Sequence, residues 1–112
     1  MKNRRIIETV LNHIEKIENY VRDDSTYENF SADAMIVEAC AFNLIQIGEQ
    51  VNRLDEGFMN TYKDVQWTDI YNLRNRIVHD YQGINFVLIW QIIRDDLPLL
   101  KKRLREIADG SG

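Results

Sequence analysis

AMIVEACAFNLIQI, residues 34–47, is apolar on nearly every side of a helical turn, and a helix with almost no polar face belongs at the centre of its fold. Ser31 is the expected N-cap of this helix, with Asp33 in its first turn favoured by the helix dipole, and the pattern runs to about Leu54. Gly48 interrupts it, which predicts either close packing or a bend. Towards the N-terminus, Ile7, Val10, Ile14, Ile17 and Val21 recur at steps of three and four between Arg5 and Arg22, the pattern of an amphipathic helix. His13 falls on the polar side of that helix and is expected at the surface. Asp23, Asp24, Ser25 and Thr26 then form a polar loop.

Beyond the central helix, residues 55–66 read as an irregular connection whose Phe58, Met59 and Tyr62 fold over the core edge. A short third helix starts near Trp67 and Thr68, and Gln82 to Asn85 make a turn. The last helix spans about Asn85 to Ala108, with Phe86, Ile89, Trp90, Ile93, Leu97, Leu100, Leu104 and Ile107 along one stripe. Pro98 lies inside this pattern and cannot donate to the carbonyl of Arg94, so a kink is expected there. No alternating strand pattern or internal repeat occurs. The expected fold is therefore all-α, an up-down bundle of about four helices, with residues 1–109 as a single domain and 110–112 as a flexible tail.

Composition narrows the function. The 112 residues are 45% hydrophobic and 29% charged, which is ordinary for one globular domain and excludes a disordered chain. A net charge of −4, from 14 basic and 18 acidic residues, is the wrong sign for coating a phosphate backbone, although a local basic pocket remains compatible with it. The single cysteine, Cys40, permits no intramolecular disulfide and fits a small core residue in a reducing, cytoplasmic setting. Paired cysteines, a His-Glu-x-x-His motif and a glycine-rich phosphate loop are all missing, so no cofactor or metal is expected.

The chemically expensive stretch is Arg74 to Tyr81, Arg-Asn-Arg-Ile-Val-His-Asp-Tyr. Two guanidiniums, an amide, an imidazole, a carboxylate and a phenol fall within eight residues, and arginine is rarely buried without a partner. On a continuous helix Asn75 and His79 share a face, whereas the five-residue step from Arg74 to His79 turns by about 140° and separates them. Either the helix ends near His79, or a wide cleft, of the kind a two-fold dimer provides, brings the two together. Arg76 fits an exposed salt bridge or an RNA contact equally well.

Arg74, His79 and Tyr81, spaced Arg-x4-His-x-Tyr at the end of a short third helix, resemble the signature of the HEPN superfamily, and specifically its HepT branch. Trp67, the run Asp69 to Leu73, Ile47-Gly48-Glu49 and the later Trp90 look like that branch too. The resemblance covers nearly the whole chain. It implies a homodimeric, metal-independent endoribonuclease, the toxin of a type VII-like toxin–antitoxin pair. Its antitoxin partner is then an MntA-like nucleotidyltransferase that attaches AMP to Tyr81, and its substrate is RNA. In that setting His79, with an ordinary pKa near 6.5, suits proton transfer at neutral pH. Arg74 suits a fork on non-bridging phosphate oxygens, with Asn75 and Arg76 in support. Tyr81, near 10, is a poor base and reads as the position for control. The alternatives are a non-catalytic helical binding module serving the transferase, or a nucleotide-binding domain that holds a phosphate without cleaving it.

Overall fold

The computed structural model of the chain describes residues 2–79 and 83–110, with His79 by its backbone alone. Helix α1, Lys2–Tyr20, buries Ile6, Ile7, Val10, Ile14 and Ile17, the stripe that its periodicity predicts. It lies along α3, Ala34–Val51, whose Val37, Cys40, Leu44, Ile47 and Val51 are fully buried. Helix α3 touches α1 and four further helical segments, which is why its sequence has so little polar face. The Cys40 thiol is pushed up to about 12 by burial, so it is an apolar filler and not a nucleophile at neutral pH.

Two corrections concern the start of this helix. Residues Tyr27–Ala32 form a separate short helix, α2, capped by the Thr26 hydroxyl, which accepts from the Asn29 amide at 3.2 Å. Ser31 lies inside α2 and donates to the Glu28 carbonyl, so it is not the N-cap of α3; Asp33 is, accepting from the Ile36 amide at 3.2 Å. His13 also departs from its expected surface place. It is half-buried, and its Nδ1 lies 2.8 Å from Oδ1 of Asn43, a buried side chain of α3. The Asn43 amide nitrogen donates to the Ala39 carbonyl, which leaves Oδ1 as the acceptor and places the proton on Nδ1 of His13.

The connection expected to be irregular contains α4, Glu56–Thr61, followed by Trp67, whose indole N–H donates to the carbonyls of Tyr62 and Met59 at 2.9 and 3.2 Å. The third helix of the sequence reading is two segments, α5 (Trp67–Tyr71) and α6 (Leu73–Ile77), broken at Asn72. A two-residue strand pair, unforeseen in the sequence, then joins β1, Val78–His79, to β2, Gly83–Ile84, antiparallel with Val78 opposite Ile84 and His79 opposite Gly83. Gly83 has φ +73, a conformation that a side chain would strain. Gly83 and Ile84 thus belong to a strand and not to the expected four-residue turn, and Asn85 caps the next helix by accepting from the Leu88 amide at 3.0 Å.

That helix is α7, Phe86–Gln91. It passes through a π-helical turn, Ile92–Asp96, into α8, Leu97–Ala108. Pro98 sits in the first turn of α8, where a missing N–H costs least, and the irregularity expected at the proline lies in the wider turn just before it. Arg94 of that turn stacks over Trp90 at 4.4 Å and donates to the carbonyls of Arg22 and Ser25 at 3.0 and 2.6 Å, fastening the loop after α1. The fold is all-α apart from the two short strands. No helix among the described residues is long and apolar enough to cross a membrane.

Candidate active site

The break at Asn72 decides how the polar cluster is presented. Helix α6 is five residues long, with Leu73 and Ile77 buried and Arg74 and Asn75 exposed. It ends at Ile77: Val78 is extended (φ −108, ψ 124), and its N–H returns to the Arg74 carbonyl. His79 is therefore in a strand. The expected i, i+4 pairing of Asn75 with His79 on one helical face does not hold, and neither does the 140° separation of Arg74 from His79, since both assumed a helix that runs on. The side chain of His79, and Asp80, Tyr81 and Gln82 altogether, lie outside the described residues.

Three features hold this short segment in place. Gly48 lets the C-terminal end of α5 lie directly on α3, for a Cβ at that position would stand 2.8 Å from the Ile70 carbonyl oxygen and 3.3 Å from that of Tyr71. Close packing, not a bend, is thus the reason for the glycine. The buried Ile77 anchors α6, and its carbonyl accepts from the Asn85 amide at 2.8 Å, closing the strand pair behind it. Arg76, half-buried, turns away from Arg74 and donates from Nη1 to the Asp69 carbonyl at 3.3 Å. Sequence reasoning did not single out Asp69, Gly48 or Asn85 for this work. Only the glycine carried a signal, as an interruption in an otherwise apolar helix.

Arg76 also lines a groove of about 390 Å³ between α5–α6 and the π turn with α8. Ile70, Leu73, Leu97 and Leu100 form much of its floor, and Asp64, Asp69 and Asp96 bring carboxylates to it. Arg103, its other cation, is held by Asp64 through two contacts of 2.6 and 3.3 Å, which also draws the Asp64 carboxyl below its ordinary range. Arg74 and Asn75 are not among the lining residues. The structure thus separates two arginines that the sequence sets two apart: Arg74 and Asn75 face solvent at the end of α6, and Arg76 faces an acidic, apolar groove on another side.

A small all-α domain that displays an arginine and an amide on a short helix, followed at once by a histidine-bearing reversal of the chain, has the outline of a HEPN-type ribonuclease. The family model described as Ribonuclease HepT-like matches residues 10–107, and the chain belongs to that family. By that membership it is an endoribonuclease, the enzyme class expected from the sequence. It is similar to a protein of Caldanaerobacter subterraneus subsp. tengcongensis named "Putative RNase TTE0752", with 32% identity over 93% of this chain and 92% of the relative. "Putative RNase MJ0127" of Methanocaldococcus jannaschii is 33% identical over 93% and 85% of the two chains. "Probable ribonuclease HepT" of Thermococcus cleftensis is 25% identical over 90% and 91%. No solved structure matches the chain significantly.

Proposed function

We propose that this ribonuclease is the toxin of a type VII-like toxin–antitoxin pair, a cytoplasmic homodimer that cleaves RNA without a metal ion. In this reading the 2′-hydroxyl of the RNA attacks the adjacent phosphorus and the 5′-oxygen leaves. His79 takes the proton from the nucleophile or delivers one to the leaving oxygen. Arg74 stabilises the charge that develops on the non-bridging oxygens, with Asn75 as a further donor beside it. The observation that carries the reading is the end of α6 at Ile77, which frees His79 from the helical rotation that would have pointed it away from Arg74. Met35 and Phe42, seven residues apart on α3 and 81% and 59% exposed, support the homodimer, because apolar side chains so exposed on the central helix form a face suited to a second copy. Val87 of α7, a helix packed against α3, is also exposed.

The purified protein is expected to cut RNA in the presence of EDTA and to leave a 2′,3′-cyclic phosphate and a 5′-hydroxyl. Absence of cleavage, with AMP still transferred to the chain by a nucleotidyltransferase, would replace the enzyme by a binding module. Control belongs to Tyr81 in this reading: an MntA-like nucleotidyltransferase attaches AMP to its phenol, adding bulk and negative charge two residues from His79, where RNA phosphate must come. Tyr81→Phe is accordingly expected to keep full ribonuclease activity and to stop growth even when the antitoxin is co-expressed. Continued suppression of the Phe variant by catalytically active antitoxin would rule out modification of this tyrosine as the switch.

A further inference from the structure

We infer that Arg76 is a positioning residue for the RNA site and not a ligand of the RNA, an assignment that rests on the ribonuclease reading of Arg74 and His79. A helix of five residues does not sustain itself in water, so α6 depends on what fastens it. Its C-terminal end is fixed by the buried Ile77 and the Asn85 amide. Its start follows directly on the break at Asn72, where the last carbonyls of α5 have no partner inside that helix. The Asn72 amide takes the Thr68 carbonyl at 3.2 Å, and the Arg76 guanidinium takes that of Asp69 at 3.3 Å. One side chain of α6 thus reaches back across the break and ties the motif helix to α5, which Gly48 in turn seats on α3.

Charge argues against the other role for this arginine. Asp64, Asp69 and Asp96 share its groove, and the only other cation lining it, Arg103, is engaged by Asp64 and Glu106. A phosphate chain gains little by entering a groove with that balance. Spacing agrees, since residues two apart on a helix lie about 200° from one another, and Arg74 is the one turned to solvent.

Cleavage of a short single-stranded RNA by wild type, Arg76→Ala and Arg76→Lys, measured over a series of salt concentrations, tests this together with amide hydrogen exchange of Leu73–Ile77. Arg76→Ala is expected to lower kcat about fivefold, the scale of one lost hydrogen bond, with KM and the salt dependence of kcat/KM unchanged. Exchange at α6 should quicken by a similar factor. Arg76→Lys, which retains a donor for the Asp69 carbonyl, should recover most of both losses. A raised KM with the log–log salt slope reduced by about 0.7 in Arg76→Ala would mean that Arg76 contacts a phosphate, and would overturn the assignment. Unchanged exchange at α6 would overturn it as well. If wild type cleaves no RNA, the ribonuclease reading of the site fails, and the exchange measurement still decides whether Arg76 braces α6.

Discussion

His79→Ala is expected to lower the rate of RNA cleavage by about 10²-fold to 10⁴-fold, the range that a positioned general acid or base contributes. Arg74→Ala is expected to lose a comparable amount, about 10²-fold to 10³-fold, because it removes electrostatic stabilisation of the phosphorane instead of proton transfer. The two should differ in how they fail. The histidine variant should lose the pH dependence of kcat near neutrality while RNA still binds, and the arginine variant should keep that profile at a lower level. Neither substitution should unfold the chain, for Arg74 is exposed and His79 lies in a two-residue strand outside the main core. Single-turnover cleavage of end-labelled RNA, with circular dichroism as the check on folding, reads both. A His79→Ala variant that cuts as fast as wild type would remove this residue from the chemistry.

The second large effect concerns stability. Gly48→Ala gains up to about 1 kcal/mol of helix propensity, yet its methyl group would stand 2.8 Å from the Ile70 carbonyl oxygen, a backbone atom that cannot rotate aside. Helix α5 must retreat from α3. The net result expected is destabilisation by about 1–3 kcal/mol, which for a domain of this size lowers Tm by roughly 4–8 °C per kcal/mol. Gly48→Val should be worse. Because α6 follows α5, the alanine variant should also lose ribonuclease activity well below its Tm, although Gly48 itself is buried away from Arg74. Thermal denaturation followed by activity at low temperature measures the two effects in turn, and a variant as stable as wild type would show that α5 does not approach α3 this closely.

What the sequence disclosed follows from the length over which each pattern repeats. Helices α1 and α3 and the run from Phe86 to Ala108 each bury several apolar residues in register, so periodicity found all three. Helices α2 and α4 are six residues each and show less than two turns of pattern. Thr26 was in plain view as a capping residue, but Ser31 and Asp33 competed for the same role. The β1–β2 pair has only two residues a side, too few for alternation to appear. The break at Asn72 has neither glycine nor proline to announce it. It is also the feature that governs the site, which explains why residue types in the cluster could be chosen from sequence while their directions could not. Arg76 is a partial exception: its spacing from Arg74 already implied that the two guanidiniums diverge.

The π turn at Ile92–Asp96 has a consequence for how this chain tolerates change in length. From Ile89 through Ile93 to Leu97 the apolar stripe takes two successive four-residue steps, and in a regular helix that drifts about 80° past two full turns. The wider turn absorbs the drift and delivers Leu97, Leu104 and Ile107 to the core. Removing one residue from Ile92–Asp96 would leave an unbroken α-helix of better hydrogen-bond geometry, but with everything after it rotated by about 100°. Leu104 would leave the interior, and Arg103 and Lys101 would lose their partners Asp64 and Glu18. The locally improved helix would then belong to a worse protein, and the extra residue behaves as a phase adjustment between the half of the helix beside the motif and the half that rests on α1.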